Sequence, residues 1–177
     1  AARGDYARAE SVLLPFAAAN PAGDAALETG LLQQLTGKRN EARRSLQLVM
    51  LGEQRTPTAR DYLRAARAAR ALGRFDDANA FFRDADGLAP GDAAINTEWG
   101  DLFVEKYNNK DAARSFQEAL KSAPEYGPAL LGMARSLVDQ NPTQAVGFAH
   151  QALKQNPLDF GAHLFVAEVA IYQDKKK

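Results

Sequence analysis

Cysteine is missing from all 177 residues of the sequence. Without it, the chain has no disulfide framework, no thiol nucleophile and no zinc site built on cysteine. Cytosolic and periplasmic proteins both tolerate this absence, so the localisation of the protein is unknown.

The sequence also lacks an excess of charge of either sign. Lys plus Arg and Asp plus Glu each number 22, which gives a formal net charge of +0. Broad binding to nucleic acid or to an acidic membrane surface needs a surplus of basic side chains. We therefore expect no nucleic-acid partner.

Long hydrophobic runs are absent as well. The one uncharged stretch near a terminus, residues 11–23, is shorter than the roughly 20 residues that cross a bilayer. Pro15 and Pro21 interrupt this stretch, and Asp5 and Glu10 precede it, so it does not read as a secretory signal. We expect no signal peptide and no membrane insertion in this piece, which starts without Met and is itself expected to be a fragment or processed product.

The familiar catalytic and nucleotide-binding motifs do not occur in the sequence. Its two histidines, His150 and His163, fall on different predicted helices without a second ligand at helical spacing. The scattered acidic residues are typical of solvated or helix-capping positions. We expect no enzymatic activity, no metal and no cofactor.

What the sequence does contain is one unit that recurs at a fixed interval of 34 positions (112 − 78). The matching positions are Ala78, Phe82, Ala85 and Pro90 in one copy and Ala112, Phe116, Ala119 and Pro124 in the next. A period of this length is typical of stacked helical repeats. The spacing A-x3-F-x2-A-x4-P resembles the tetratricopeptide repeat (TPR).

This resemblance implies an all-α fold, a right-handed α-solenoid of stacked antiparallel helix pairs with about five repeats. We expect residues 1–177 to form a single TPR-like solenoid. Incomplete units are expected at both ends, and the longest loop at residues 52–56. The predicted parts are a half repeat at 1–21, repeats at 22–58, 59–92, 93–126 and 127–159, and a half repeat at 160–177.

Small residues recur where neighbouring helices would approach most closely, since only small side chains let helix backbones come to about 8–10 Å. These positions are Gly30, Ala66, Gly100, Ala134 and Ala167 on first helices and Ala78, Ala112 and Ala145 on second helices. Larger side chains would fill the space between them, so we interpret Trp99, Phe82 and Phe116 as core and not as a ligand cage. In the terminal helices we expect Ala9, Leu13 and Phe16, and Val166, Ala167 and Ala170, to occupy the equivalent faces.

In the proteins that this chain resembles, the first helices line a concave groove, which implies that two rows of residues face a ligand. One row is mostly apolar and comprises Leu27, Leu63, Thr97, Leu131 and Leu164. The other row alternates in charge and comprises Arg67, Asp101, Arg135 and Glu168. Alternating charges can also pair with one another and serve no ligand.

A basic stripe adds a second hypothesis for the groove. It consists of Arg60, Arg64, Arg67 and Arg70 on one predicted helix. Arginine holds carboxylates bidentately, and the stripe resembles half of the clamp with which some TPR domains grip acidic peptide tails. The other half is missing because Leu27 and Leu31 stand where that clamp has Lys and Asn, while Asp101 and Glu105 would compete for the arginines. A looser contact with an acidic peptide and a merely solvated arginine face both remain open.

The favoured function is a non-catalytic scaffold that binds a protein or peptide segment in the groove. Its candidate contacts are Arg60, Leu63, Arg64, Arg67, Asp101, Leu131, Arg135, Leu164 and Glu168. The alternative is a segment that recruits substrate for a larger enzyme or an envelope-assembly protein. We also expect possible self-association through the uncapped last helix, residues 160–172, because terminal repeats normally carry a polar outer face.

Overall fold

The computed structural model describes residues 5–52 and 56–174, and all regular structure within them is helical. The predicted all-α fold of paired helices is therefore confirmed. The middle of the expected long loop and the terminal lysine run lie outside these ranges. Clustering of backbone contacts divides the chain into two units, residues 1–88 and 89–177.

The first unit contains five helices within the described ranges. Each helix packs on the next one along the chain, and α2 also contacts α4, as first helices of adjacent repeats do. The helices are α1 (Asp5–Ala19), α2 (Asp24–Leu35), α3 (Arg39–Met50), α4 (Ala59–Ala71) and α5 (Phe75–Leu88).

The second unit repeats this plan with five further helices among its described residues. Consecutive helices pack together, and α8 contacts both α6 and α10. The helices are α6 (Ala93–Glu105), α7 (Asn109–Ser122), α8 (Gly127–Leu137), α9 (Pro142–Gln155) and α10 (Phe160–Asp174).

Tight turns between paired helices follow the local chemistry of the sequence. Gly37 and Gly73 adopt φ values of 82° and 72°, a left-handed conformation that glycine reaches without steric cost. In the turn between α6 and α7, the sequence predicts that Asn108 and Asn109 bend the chain. The positive φ of 56° falls on Tyr107. Asn108 instead caps α7, since its side chain accepts a hydrogen bond from the Asp111 amide. Turns this short make the paired helices antiparallel.

The predicted seams between helices are dry and closely packed. Ala78, Ala112 and Ala145 are fully buried, as are the rings of Phe82 and Phe116. A methyl group added at Gly100 would lie 2.6 Å from the ring of Phe116, which is well inside van der Waals contact. The small residues are therefore required by the closeness of the helices.

The two terminal helices differ from the expectation for their buried faces. In α10, Ala162, Phe165 and Val169 are buried, whereas Ala167 and Ala170 are exposed and Val166 is half-buried. In α1, Ala9 and Phe16 are exposed and the buried residue is Glu10. Helix α1 packs on α2, and α10 packs on α9 and α8; these contacts, and not the repeat pattern, fix which side of each terminal helix is buried.

Among residues 5–52 and 56–174, no helix combines the length and apolar character that crossing a membrane requires.

Candidate binding surface

The candidate residues divide between the two units. Helix α4 in the first unit carries Arg60, Leu63, Arg64 and Arg67. Helices α6, α8 and α10 in the second unit carry Asp101, Leu131, Arg135, Leu164 and Glu168.

The four candidates on α4 line one open cavity of about 400 Å³ within the first unit. Helix α2 supplies the other wall with Asp24, Leu27 and Glu28. Leu27 is 1% exposed, so it forms the floor, while Leu63 is half-buried. The cavity thus combines an apolar base with charged groups at its rim.

Asp24 connects the two walls by bridging two arginines. Arg60 Nη2 donates to its Oδ2 at 2.5 Å, and Arg64 Nε donates to its Oδ1 at 2.7 Å. The sequence hypothesis overlooked this acidic residue because it considered competing carboxylates only on the following helix. The sequence feature that could have identified Asp24 is its position in the first turn of α2, which is the first helix of the preceding repeat.

Arg64 is held from three sides. Besides Asp24, its Nη1 donates to Asp61 Oδ1 at 2.9 Å and to the carbonyl oxygen of Ala22 at 3.1 Å. Asp61 is fixed in turn by a capping box with Thr58 at the start of α4. Only 12% of the Arg64 side chain is exposed. Its guanidinium is therefore positioned before any ligand arrives.

The cluster stabilises its own charges. The hydrogen bond from Arg64 is the main cause of a lowered pKa for Asp24, and bonds from Thr58 lower the pKa of Asp61. Partial burial opposes the charge of Arg64, but its bonds to both carboxylates outweigh this and raise its pKa. All three groups are charged at neutral pH.

In the second unit the candidate residues differ in how exposed their side chains are. Leu131 is 7% exposed and belongs to the apolar core among α8, α9 and α10, so its side chain offers no open contact there. Arg135 and Leu164 are exposed, whereas Asp101 is half-buried. Glu168 lines a separate cavity of about 460 Å³, together with Phe165, Val169, Tyr172, Val138, Asp139 and Pro142.

Thr97, from the predicted apolar row, is buried and its hydroxyl has no hydrogen-bond partner among the described residues. Across the same described ranges, no group of three or more His, Asp or Glu side chains is arranged to hold a metal ion.

Several solved structures share this arrangement of paired helices. A thermophilic TPR protein of Thermus thermophilus matches 95% of this chain and 92% of its own, with a TM-score of 0.73 and 19% identity. The fold is that of the tetratricopeptide repeat proteins. A TPR protein of Parabacteroides merdae matches 98% of this chain and 69% of its own, with a TM-score of 0.66 and 20% identity.

A third TPR structure contains a ligand. It is the first TPR of Spaghetti (RPAP3) bound to the HSP90 peptide SRMEEVD, and it matches 66% of this chain and 94% of its own with a TM-score of 0.63 and 14% identity. Identities at this level establish a shared fold and nothing finer. No protein-family model matches the sequence. A search of curated proteins also finds no match.

Proposed function

We propose that this protein is a non-catalytic scaffold that binds a peptide or partner segment on the surface formed by its first helices. The observation that supports this most is the cavity between α2 and α4, in which the half-buried Leu63 lies beside Arg60, Arg64 and Asp24. An extended segment would bury an apolar side chain against Leu63. A polar or charged group of the segment would be oriented by the arginines.

Structures with the same fold support the class of ligand. The first TPR of Spaghetti binds an HSP90 peptide, and the second TPR domain of human RPAP3 is in complex with the HSP70 peptide SGPTIEEVD. Arg67 lines the same cavity. In the second unit, Asp101, Arg135, Leu164 and Glu168 are proposed as contacts on that unit's own first helices. Leu131 supports α8 from within the core and is proposed to act only through that packing.

A displayed peptide library selected on the immobilised chain would test the proposal, with SRMEEVD as one defined probe. We expect Arg64→Glu to weaken the selected peptides at least tenfold, since it reverses the charge in the middle of the cavity. Arg83→Glu on α5 is the matched control, because Arg83 is exposed and is not among the cavity's lining residues. Equal losses in both variants, or unchanged binding after Arg64→Glu, would refute this binding surface.

Helix α10 supports a second proposal, which is pairing with α10 of another copy of the chain. Phe160, Leu164 and Ile171 are exposed, and with the exposed Ala167 they follow helical spacing along one side. A second copy offers an identical stripe, so burial of one against the other forms a two-fold interface.

Sedimentation equilibrium would measure this pairing directly. We expect the wild type to dimerise with increasing concentration and Leu164→Glu to remain monomeric. Leu48→Glu on α3, where Leu48 is 57% exposed, is the control and should pair like wild type. A monomeric wild type at all concentrations would eliminate the proposal.

A further inference from the structure

We propose that Asp24 acts as an internal competitor: it occupies the arginine pair formed by Arg60 and Arg64, and a carboxylate of the partner segment binds there only by displacing it. This inference rests on the proposed function, because it assigns the ligand chemistry of the same cavity. The ligand class is a peptide with an acidic side chain or a free carboxyl terminus.

The geometry at Asp24 is that of a bound carboxylate. Its two oxygens are divided between two arginines, Oδ2 to Arg60 at 2.5 Å and Oδ1 to Arg64 at 2.7 Å. Both are charge-assisted hydrogen bonds, and the bond from Arg64 has the length that such bonds favour. Any carboxylate that reaches the same position can accept the same two bonds.

The site keeps its shape when Asp24 leaves, because Arg64 has other supports. Asp61 and the Ala22 carbonyl hold its Nη1, and neither bond involves Asp24. Thr58 fixes Asp61 at the start of the same helix. The ligand therefore meets a guanidinium that is already oriented, which lowers the entropic cost of binding.

Asp24 is held weakly enough to exchange. Its side chain is 49% exposed and that of Arg60 is 76% exposed, and ion pairs in contact with water contribute little net stability. Arg64 also lowers the pKa of Asp24, so the occupant carries its charge at neutral pH. An acidic ligand must compete with Asp24, whereas a neutral ligand that contacts only Leu63 need not.

The test is fluorescence anisotropy with a labelled seven-residue peptide that ends in two glutamates and a free carboxyl terminus. The neutral probe is the same peptide with glutamines and a terminal amide. We expect Asp24→Asn to tighten binding of the acidic peptide about five- to tenfold, because the apparent affinity is reduced by the fraction of protein in which the site is occupied. Affinity for the neutral peptide should stay within about twofold.

Glu28→Gln separates displacement from a simple change of charge. Glu28 lines the same cavity on α2, so its substitution removes one negative charge without opening the arginine pair. We expect it to gain no more than about twofold. Adding Arg64→Gln to Asp24→Asn should abolish the gain. Asp24→Ala serves as a second opening variant, and circular dichroism verifies that each variant is folded.

The outcomes separate this inference from the proposed function. Equal affinities of Asp24→Asn, Asp24→Ala and Glu28→Gln for the acidic peptide would overturn the assignment of Asp24. Failure of every variant to bind the acidic peptide would also overturn it. In both cases, library-selected peptides that still bind and remain sensitive to Arg64→Glu would leave the scaffold function intact.

Discussion

Both units pack small and apolar side chains between their helices, and the first unit adds charged networks to this packing. Lys38 Nζ donates to Glu10 Oε2 at 2.5 Å and Gln33 Nε2 donates to Glu10 Oε1 at 3.1 Å, so one buried carboxylate connects α1, α2 and the start of α3. Ser45 extends the network by donating to Gln33 Oε1 at 3.1 Å. The cluster around Asp24 joins α2 to α4 in the same manner.

In the second unit, small residues pack closely around one aromatic ring. The ring of Phe116 on α7 lies between Gly100 on α6 and Gly132 on α8, and a methyl group at either glycine would overlap it. Ala134, Ala145, Ala149 and neighbouring residues form a separate apolar core.

This contrast shows what each kind of seam supplies. Burial of apolar surface contributes about 25 cal/mol per Å², whereas ion pairs in contact with water, such as those of Asp24, contribute little net stability. We therefore expect substitutions in the apolar seams to cost the most, and the charged networks of the first unit to add a dependence on pH.

The largest expected effect is the removal of the ring at the centre of the second unit. Phe116→Ala should lower the free energy of unfolding by about 3–5 kcal/mol, because it leaves a cavity that rigid helices cannot close. Chemical denaturation measures this. Leu158→Ala is the control, since Leu158 is 89% exposed and its loss should cost less than about 0.5 kcal/mol. Similar costs at both positions would contradict the packing described for α7.

Two glycines in neighbouring helices should respond to the same substitution with opposite sign. Gly132→Ala places a methyl group 2.3 Å from the fully buried Phe116 ring and should destabilise by about 1–3 kcal/mol. Gly147→Ala on α9 meets nothing within 4 Å and should stabilise by about 0.5–1 kcal/mol through helix propensity. Thermal unfolding of both variants measures these changes in stability. A gain in stability at both positions would mean that α7 and α8 are further apart than the structure shows.

Acid should weaken the first unit selectively. The hydrogen bond from Lys38 lowers the pKa of Glu10, and the pKa values of Asp24 and Asp61 are lowered by Arg64 and Thr58 respectively. A lowered folded-state pKa stabilises above the ordinary value of about 4 and loses that contribution as pH falls through the lowered value.

Hydrogen exchange, corrected for intrinsic rates, can compare the units between neutral pH and pH 3. Protection in α1, α2 and α4 should fall more than protection in α8 and α9, and Glu10→Gln should reduce that difference. A parallel decline in both units would remove the distinction drawn from these carboxylates.

The smallest predicted effect is a gain. Thr97→Val keeps the shape of the side chain but removes the buried hydroxyl that lacks a partner in the described part of the chain. We expect a stabilisation of about 0.5–1 kcal/mol, because an unpaired buried polar group is costly. A loss of stability in the same denaturation assay would indicate that the hydroxyl is satisfied after all, for example by an ordered water.

Sequence reasoning predicted the interior of the fold well for a physical reason. Slots such as Ala78 and Ala112 occupy the same place in successive repeats and are fully buried, so their spacing alone predicted their burial. In helices α1 and α10, Glu10 and Phe165 are buried by contacts that the period does not encode. Leu131 shows another limit of the repeat pattern. It was predicted to face the groove but is buried in the core, because positions beside the core and within it differ by a single residue along the helix.

The candidate site was predictable only in part. The 34-residue pattern and the arginine stripe indicated α4, where Arg60, Leu63, Arg64 and Arg67 do line one cavity. The pairing of Asp24 with two of these arginines depends on side-chain conformations across two helices. A repeat pattern contains no information about those conformations.

The central claim is that the first helices of this protein bind the ligand. Hydrogen–deuterium exchange of the wild-type chain, with and without the tightest peptide from the library, tests it most directly. We predict increased protection in α2 (Asp24–Leu35) and α4 (Ala59–Ala71), with α3 and α5 unchanged. Protection confined to α3 and α5, or absent from α2 and α4 while the peptide is bound, would contradict it.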